Sequence, residues 1–327
     1  MKRVSRMFLM QLGTAVTLLI GASWATAQYP SRTVTIIVPV PPGSSTDIVA
    51  RLLAERLPAR LGQGFLVENR PGASGLIGAG AVARSAPDGH TLAVVASTLF
   101  IAPHVMPKGA GGGVDVVKDF APIIRTASSP LVLLVNPQLG VKSVAELVAL
   151  AKRSPGLAYA TSGNGSPMHI AGELFQKSTG VQLTHVPYKG VMPAVQDTMS
   201  GQVKVAFSAL GGIGQFISAG RVNALAVVGK RTSLLPNLAT LADLGVAGID
   251  VDAPWFPLLA PAGTPQVIIA RLNQEANAIL KLSDVRERLI SAGVEPEGGT
   301  SEEAARNVRE DFARYGRIVA EFNIKGE

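Results

Sequence analysis

The chain has 327 residues, of which 47 % are hydrophobic and 16 % are charged. Apolar surface is therefore ample for folded cores, and a disordered chain is excluded. Cysteine is absent, which excludes a disulfide framework, an iron–sulfur cluster and a cysteine-based zinc site. The formal net charge is +7, but no run of Lys and Arg with interleaved aromatic residues accompanies it, which argues against a nucleic-acid-binding protein.

The first 27 residues have the pattern of an export signal. Three basic side chains within the first six positions precede an apolar stretch over residues 7–22, and Ala25-Thr26-Ala27 supplies a small-residue cleavage pattern. The apolar stretch contains polar interruptions and falls short of the roughly 20 residues of a membrane span. We therefore expect residues 1–27 to be a signal peptide that is cleaved after Ala27.

The rest of the chain alternates apolar strands, loops rich in Gly, Ser and Pro, and helices. A strand over Val34–Val38, a Pro-Gly loop and a helix from about Thr46 form one unit, and a strand over Leu157–Thr161, the loop 162–166 and a helix starting at Pro167 form another. Further strands are predicted at 65–68, 91–96, 131–135, 183–186, 203–207 and 224–228, and further helices at 75–84, 143–153, 191–199, 266–280, 283–292 and 301–322. Ser143 with Glu146, and Thr300 with Glu303, are predicted to form capping boxes at the starts of two of these helices. This alternation favours parallel sheets covered by helices on both faces.

Several kinds of catalytic or cofactor site are not supported. The four histidines show no metal-ligand spacing, and the sequence contains no Gly-x-Ser-x-Gly elbow and no Walker A motif. Residues 78–83 formally match Gly-x-Gly-x-x-Ala, but they fall inside a predicted helix and no acidic residue follows at the spacing that a dinucleotide site needs. We interpret these small residues as a close helix–sheet contact and expect no cofactor and no metal.

Two strand–loop–helix junctions, at residues 41–47 and 162–167, remain as candidate sites. Each presents unpaired N–H groups at a helix start, where the helix dipole adds positive potential. Neither loop contains a lysine, which favours a carboxylate over a triphosphate. The alternative is that these are ordinary turns whose Ser and Thr side chains only cap helices.

A series of short motifs runs through the chain in a fixed order. They are Tyr-Pro-Ser-Arg at 29–32, the loop ending in Ser-Thr-Asp at 45–47, Val-Glu-Asn-Arg-Pro-Gly at 67–72, Ala-Pro-Asp-Gly at 86–89, Val-Lys-Asp-Phe at 117–120, Ser-Gly-Asn-Gly-Ser at 162–166, His-Val-Pro-Tyr-Lys-Gly at 185–190 and Leu-Ala-Pro-Ala-Gly-Thr-Pro at 259–265. With these motifs the chain resembles the Bug-type extracytoplasmic solute receptors, the periplasmic binding proteins of tripartite tricarboxylate transporters.

The resemblance implies an α/β, type II periplasmic-binding-protein fold with two lobes, mainly parallel sheets and a ligand cleft between the lobes. Lobe I is expected to comprise residues 28–126 and 232–327, and lobe II residues 127–231. It implies a periplasmic, monomeric receptor, not an enzyme, that captures a small carboxylate (a di- or tricarboxylate or an aromatic acid) for a membrane permease. The alternatives are a sensor subunit of a two-component system and a periplasmic hydrolase, for which no nucleophile–base pair is evident.

The expected ligand-binding residues come mainly from the two loops. They are Pro42, Gly43, Ser44, Ser45, Thr46 and Asp47 in the first loop, Ser162, Gly163, Asn164, Gly165, Ser166 and His169 in the second, and Ser97, Thr98, Tyr188, Lys189, Ser208, Trp255 and Phe256 elsewhere. The first loop departs from the family's Gly-Gly-Gly-Thr-Asp pattern, and Ser208 stands where the family often has Asp or Asn. The ligand's identity therefore cannot be carried over from relatives.

Some of these residues have a second interpretation. Ser97 and Thr98 could reach the ligand or form a strand-end turn, and Lys189 could pair with a second carboxylate or simply be exposed. The aromatic pair Trp255-Phe256 could form a wall of the site or belong to the core. Asp47 is expected to serve the helix N-terminus, since a carboxylate there would repel an anionic ligand.

Overall fold

A computed structural model describes residues 29–107, 109, 112–249 and 251–324. The expected signal peptide and its cleavage position lie outside the described residues. Within the described chain, two mixed β-sheets are each covered by helices, and one cavity lies between the sheets. No helix of this part of the chain has the length and apolar character needed to cross a membrane.

The first sheet has six strands: β1 (Val34–Val38), β2 (Phe65–Asn69), β3 (Thr91–Val94), β4 (Phe120–Ser128), β10 (Trp255–Pro261) and β11 (Glu295–Pro296). Their order in the sheet is β11-β4-β10-β3-β1-β2. Strands β2, β1 and β3 are parallel, whereas β10 is antiparallel to both β3 and β4. The β-branched run of β1 is almost entirely buried, as expected for a strand covered on both faces.

The second sheet has five strands: β5 (Leu131–Val135), β6 (Leu157–Thr161), β7 (Leu183–Pro187), β8 (Val205–Ala209) and β9 (Asn223–Val228). Their order in the sheet is β7-β6-β8-β5-β9. Strands β7, β6 and β8 are parallel, and β5 is antiparallel to β8 and β9. The sheets are thus mixed rather than mainly parallel, because β4, β5 and β10, which lie next to the crossings between the sheets, run against their neighbours.

Eleven helices are present in the described residues. They are α1 (Ser45–Arg56), α2 (Pro58–Leu61), α3 (Leu76–Ala83), α4 (Thr98–Val105), α5 (Val144–Arg153), α6 (Pro167–Thr179), α7 (Val191–Ser200), α8 (Gly214–Ser218), α9 (Gln266–Leu280), α10 (Ser283–Ser291) and α11 (Ser301–Glu321). The predicted capping box of Thr300 and Glu303 is complete at the start of α11. At α5, Ser143 accepts from the Glu146 N–H as predicted, but the Glu146 carboxylate accepts from the Lys142 N–H instead.

The small-residue motif at 78–83 lies inside α3, as the sequence predicted. A Cβ atom at Gly78 would lie 2.7 Å from the Arg70 carbonyl oxygen and 2.8 Å from Cβ of Pro39. Glycine therefore allows α3 to lie directly against the loop that follows β1. The motif serves this close packing and does not open a helix.

The chain crosses between the sheets twice, directly from β4 to β5 through Ser129 and Pro130, and again between β9 and β10. Part of the segment after residue 231, all of which was expected to belong to lobe I, packs on the second sheet: Leu241 and Val251 belong to its core. Helix α11 contributes to both cores, since Val308 packs with the first sheet and Tyr315 with the second. The lobes are thus joined by a shared helix as well as by the crossings.

Candidate ligand-binding site

A cavity of about 580 Å³ lies between the two sheets and is lined from both sides. The starts of α1, α4 and α7, and the loop before α6, face it. The first N–H groups of a helix have no partner within the helix and lie at the positive end of its dipole. The starts of α1 and α7, one in each lobe, therefore offer main-chain donors to the same space, whereas the Leu99 and Phe100 N–H groups of α4 already donate to the Ala96 and Ser97 carbonyl oxygens.

The start of α1 is stabilised by its N-cap residue, Ser44. The hydroxyl of Ser44, in extended conformation, accepts a 3.3 Å hydrogen bond from the Asp47 N–H. Ser45 and Thr46, in the first turn, are buried and line the cavity. The local sequence dictates this arrangement because serine is among the preferred N-cap residues.

The Asp47 carboxylate is turned away from the cavity and braces the loop. It accepts hydrogen bonds of 2.9 Å from the Gly43 N–H, from Nε of Arg51 and from Nδ2 of Asn69. Burial alone would raise the pKa of Asp47, but these hydrogen bonds outweigh it and lower the pKa. Asp47 is thus an ionised support of the loop, in agreement with the helix-terminus interpretation.

The second loop is likewise stabilised by hydrogen bonds, which run within the loop and to His169. Ser166 accepts from the His169 N–H at 3.2 Å and donates to the Gly163 carbonyl oxygen at 2.8 Å, while the Gly165 N–H donates to Nδ1 of His169 at 3.3 Å. Ser162, Gly163 and Asn164 line the cavity. Gly165 and Ser166 therefore fix the conformation of residues 162–164 without lining the cavity themselves.

A pair of histidines underlies the second loop. The rings of His169 and His185 are stacked with centroids 4.0 Å apart and planes 7° apart, and Nε2 of His185 lies 2.6 Å from the Thr161 hydroxyl. Burial lowers the pKa of His169 to about 4, and burial together with His169 lowers that of His185 to about 3. Both rings are neutral near pH 7. No group of three or more potential metal ligands occurs in the described chain.

Two helices border the site in ways that the sequence did not predict, although Thr98, at the start of one of them, was an expected site residue. Helix α4 runs along the cavity, with Thr98 and Leu99 at its start and Met106 just past its end in the lining. Gly190, at φ +125°, caps α7 without a side-chain hydrogen bond, and Val191 and Met192 in the first turn also line the cavity. The helix at 191 was predicted, but only the tertiary structure turns its start toward the site.

A hydrogen bond joins the two lobes across the cavity. Ser74 has φ +52°, in the left-handed region, and its hydroxyl donates to the Asn164 carbonyl oxygen at 3.0 Å. Ala73, Ser74 and Gly75 line the cavity, and none was predicted. Positive φ values at Ala73 and Ser74 are uncommon for residues other than glycine, and nothing in the local sequence signals them.

The lining contains few charged side chains. Of the described residues around the cavity, Lys189 alone is charged, and no Asp or Glu lines it. Neighbouring Tyr188 donates its hydroxyl to Oδ2 of Asp197 at 2.7 Å, and burial and this bond raise its pKa to about 12. Tyr188 therefore contributes its ring and backbone to the lining, with its hydroxyl already committed.

Eleven of the expected site residues lie in the lining. They are Pro42, Ser44, Ser45, Thr46, Thr98, Ser162, Gly163, Asn164, Tyr188, Lys189 and Phe256. The other eight lie outside it: Gly43, Asp47, Ser97, Gly165, Ser166, His169, Ser208 and Trp255. Most of these eight support the loops or the core behind the wall.

Of the two adjacent aromatic residues Trp255 and Phe256, only Phe256 lines the cavity. Trp255 is 1 % exposed, donates from Nε1 to Asp311 at 2.6 Å and stacks on Phe100 with centroids 5.6 Å apart. Phe256 lines the cavity, because successive side chains of a strand point to opposite faces. The same alternation places Ser208 in the protein interior and Ala209 at the cavity. Ser97, which directly precedes α4, is buried, and its hydroxyl accepts from the Trp255 N–H at 3.4 Å.

Comparison with known proteins identifies the family of this chain. Residues 49–324 match the model of the tripartite tricarboxylate transporter family receptor. The chain belongs to this family. Protein BugT of Bordetella pertussis is 36 % identical over 310 residues, covering 94 % of each chain. The receptors of this family bind solutes in the periplasm, and the prediction of a receptor rather than an enzyme is confirmed.

Solved structures of relatives superpose closely on this receptor. Rpa4515 of R. palustris, solved with adipate, is 36 % identical with a TM-score of 0.85, and the match covers 91 % of this chain and 99 % of the relative. MatC of Rhodopseudomonas palustris, solved with bound malate, is 33 % identical with a TM-score of 0.81 over 89 % of this chain and 100 % of the relative. The predicted two-lobed α/β binding-protein fold is confirmed.

Proposed function

We propose that this receptor captures a small carboxylate in the cavity, closes on it and hands it to a membrane permease of the same transporter. The observation that carries the proposal is the cavity itself. Helix starts from both lobes face it, Lys189 is the one charged residue in its described lining, and no acidic residue lies there. An anion is the ligand that such a set of donors favours. The adipate and malate held by the two relatives are also carboxylates.

The carboxylate would lie between the start of α1 and the second loop. Its oxygens would accept hydrogen bonds from the first N–H groups of α1, from the Ser45 and Thr46 hydroxyls, and from Ser162. A micromolar Kd requires about 8 kcal/mol. Hydrogen bonds to a charged group contribute about 1.5–3 kcal/mol each, so four or five of them reach this value after the entropy cost of association.

Closure would exclude water from the bound carboxylate. The Ser74–Asn164 hydrogen bond and the approach of Gly190 to Pro41, with an ideal Cβ 3.8 Å from the proline ring, are contacts between the lobes at the cavity. Hinge rotation about the crossing segments would break these contacts and open the cavity to ligand. We further propose that the mature receptor begins after Ala27 and works as a monomer.

Calorimetry of ligand-free protein tests the proposal with matched acids and amides. The protein is unfolded and refolded to remove carried-over ligand, then titrated with butyrate, hexanoate, benzoate, malate and adipate, and with butyramide, hexanamide and benzamide. At least one acid should bind at micromolar Kd, and its amide at least tenfold more weakly. Amides that bind as tightly as their acids, or no binding by any acid, would contradict the proposal.

The permease partner is tested separately from the ligand. Ligand-loaded receptor should crosslink to membranes that contain the permease, and the crosslink should weaken when the ligand is omitted. A crosslink to a histidine kinase in place of the permease would instead support the sensor role. Mass spectrometry of the intact exported protein gives both the start of the mature chain and its oligomeric state.

A further inference from the structure

We propose that the ligand of this receptor carries one carboxylate on a bulky apolar body, and that a second carboxylate weakens binding. The inference rests on the proposed function, since it specifies the class of acid that the same cavity takes. It is carried by the distribution of polar and apolar groups around the cavity.

The lining is mostly apolar. Besides four glycines and nine polar residues, it contains seventeen apolar residues. Seven of these are prolines, which have no backbone N–H. Much of the wall therefore offers neither a side-chain donor nor a main-chain donor to a ligand.

The fully buried part of the cavity has donors for one carboxylate. Ser45 and Thr46 are buried there together with Leu99, Met168 and Phe256. The start of α7, at residues 190–192, is only half-buried, and the Leu99 and Phe100 N–H groups of α4 already donate to main-chain carbonyl oxygens. The hydroxyls of Ser166 and Tyr188 are occupied by Gly163 and Asp197. A second carboxylate in this region would lose its hydration against carbon atoms, which costs several kcal/mol without a compensating partner.

The one lysine does not offset that cost. Lys189 is exposed among Pro187 and Pro193, which are exposed as well. An ion pair formed at such a position contributes little, because water and salt screen it. Lys189 can attract an anion to the entrance, but it does not stabilise a second carboxylate inside the cavity.

Three methionines favour an apolar body of adaptable shape. Met106, Met168 and Met192 lie in the lining from both lobes. Methionine is unbranched and flexible, fills irregular space and makes favourable contacts with the edges of aromatic rings. The cavity volume of about 580 Å³ leaves room for a ring or a branched alkyl chain behind the carboxylate.

The first test compares acids that differ only in the second carboxylate. Calorimetry of the refolded, ligand-free receptor with hexanoate and adipate, and with benzoate and terephthalate, should give at least tenfold tighter binding of the monoacid in each pair. Equal or tighter binding of the diacids would overturn the inference while leaving the carboxylate receptor intact. Failure of all four acids and of the shorter acids to bind would overturn the inference together with the proposed function.

The second test uses two methionines of the same helix. Met192 lies in the first turn of α7 and lines the cavity, whereas Met199 lies near the other end of α7, outside the lining; both pack against the same hydrophobic cluster. Met192→Ala should weaken hexanoate binding three- to tenfold and change acetate binding less than twofold. Met199→Ala should change neither. Equal effects of the two substitutions, or an equal effect of Met192→Ala on both acids, would contradict the inference.

A chain-length series supplies an independent measure. Each methylene buried in an apolar cavity tightens binding by about fourfold, so the Kd of wild-type protein should fall steadily from acetate through butyrate to hexanoate. A Kd that is independent of chain length would mean that the apolar wall does not contact the ligand.

Discussion

The backbone N–H of Ser129 donates a 2.9 Å hydrogen bond to the carbonyl oxygen of Pro254. Ser129 lies at the first crossing between the sheets and Pro254 at the end of the second, so one bond ties the two connections together. The Ser129 hydroxyl also accepts from the Gly211 N–H at 2.8 Å and donates to the Gly293 carbonyl oxygen at 3.1 Å. The buried Ser129 side chain thus joins elements of both lobes at the expected hinge.

Replacing this hydroxyl should destabilise the protein. Ser129→Ala leaves a buried N–H at Gly211 and a carbonyl at Gly293 without their partner, and we expect a loss of about 2–4 kcal/mol in the free energy of unfolding. Urea denaturation measures this loss. Ser200→Ala removes an exposed hydroxyl bond and should cost less than about 0.5 kcal/mol. A loss at Ser129 no larger than that of the control would show that the hydroxyl is dispensable.

The approach of the second loop to α4 can be tested with one added methyl group. A Cβ at Gly165 would lie 2.4 Å from Cγ2 of Val105 and 3.4 Å from Cα of Ala102, while a Cβ at Gly180 would meet nothing within 4 Å. Both glycines have φ +67°, so alanine carries the same backbone strain of about 1–2 kcal/mol at either position. We expect Gly165→Ala to weaken binding of the best acid at least tenfold, and Gly180→Ala to leave it unchanged.

Urea denaturation and calorimetry of the two glycine variants separate strain from displacement of the lobes. Similar losses of stability with different losses of affinity are the expected result. Equal affinities would mean that the second loop tolerates the methyl group and that its contact with α4 does not position the ligand.

Acid should destabilise the protein through the buried histidines. The pKa of His169 is about 4 in the folded protein against an ordinary value of 6.5, so the unfolded chain takes up a proton first as the pH falls. The stability contributed by the neutral ring is present above about pH 6.5 and is lost progressively between pH 6.5 and pH 4. The loss approaches about 3 kcal/mol for this residue.

Urea denaturation at pH 7 and at pH 4.5 measures this dependence. His169→Gln removes the titrating ring, so the variant should be less stable at pH 7 but should lose less stability on acidification. Asp47, whose pKa is lowered, adds its own loss only nearer its ordinary pKa of 3.8. An identical pH dependence in wild type and His169→Gln would contradict the assignment.

Lys189 should act through attraction at the entrance. Lys189→Met should raise the Kd of the best acid two- to fivefold at 20 mM salt, mainly by slowing association, and the difference should vanish at 500 mM salt. Stopped-flow fluorescence and calorimetry measure both effects. Lys152→Met, at the exposed end of α5 and outside the lining, is the matched control. A large effect of Lys189→Met that persists in high salt would place the ammonium group against the bound ligand.

Elements whose determinants are local were predicted well. The run of Val and Ile in β1, the starts of α1 and α6 and the Thr300–Glu303 box all depend on residues within one turn or one strand. Helix α4 was missed because it contains Pro103 and has no side-chain cap, two features that argue against a helix. Strand β10 was missed because Pro257 interrupts it, and its pairing with β4 is shifted there.

The site was predicted to the extent that it follows from the two loops. The loops were located correctly, but which of their residues face the cavity depends on strand alternation and on backbone turns that the sequence pattern does not resolve. Gly190 and Ser74 lie in the lining only because the tertiary fold places their segments next to the two loops. Such contacts are long-range and leave no periodic signal in the sequence.

The position of β10 has a consequence for the order of assembly. All strands of the second sheet lie between residues 131 and 228, whereas β10, from residues 255–261, fills an interior place between β3 and β4 of the first sheet. The second sheet can therefore form from one continuous stretch of chain. The first sheet, with its larger sequence separations, must wait for nearly the whole polypeptide, and pairing over such separations is slow. The cleft, which needs both walls, is completed last.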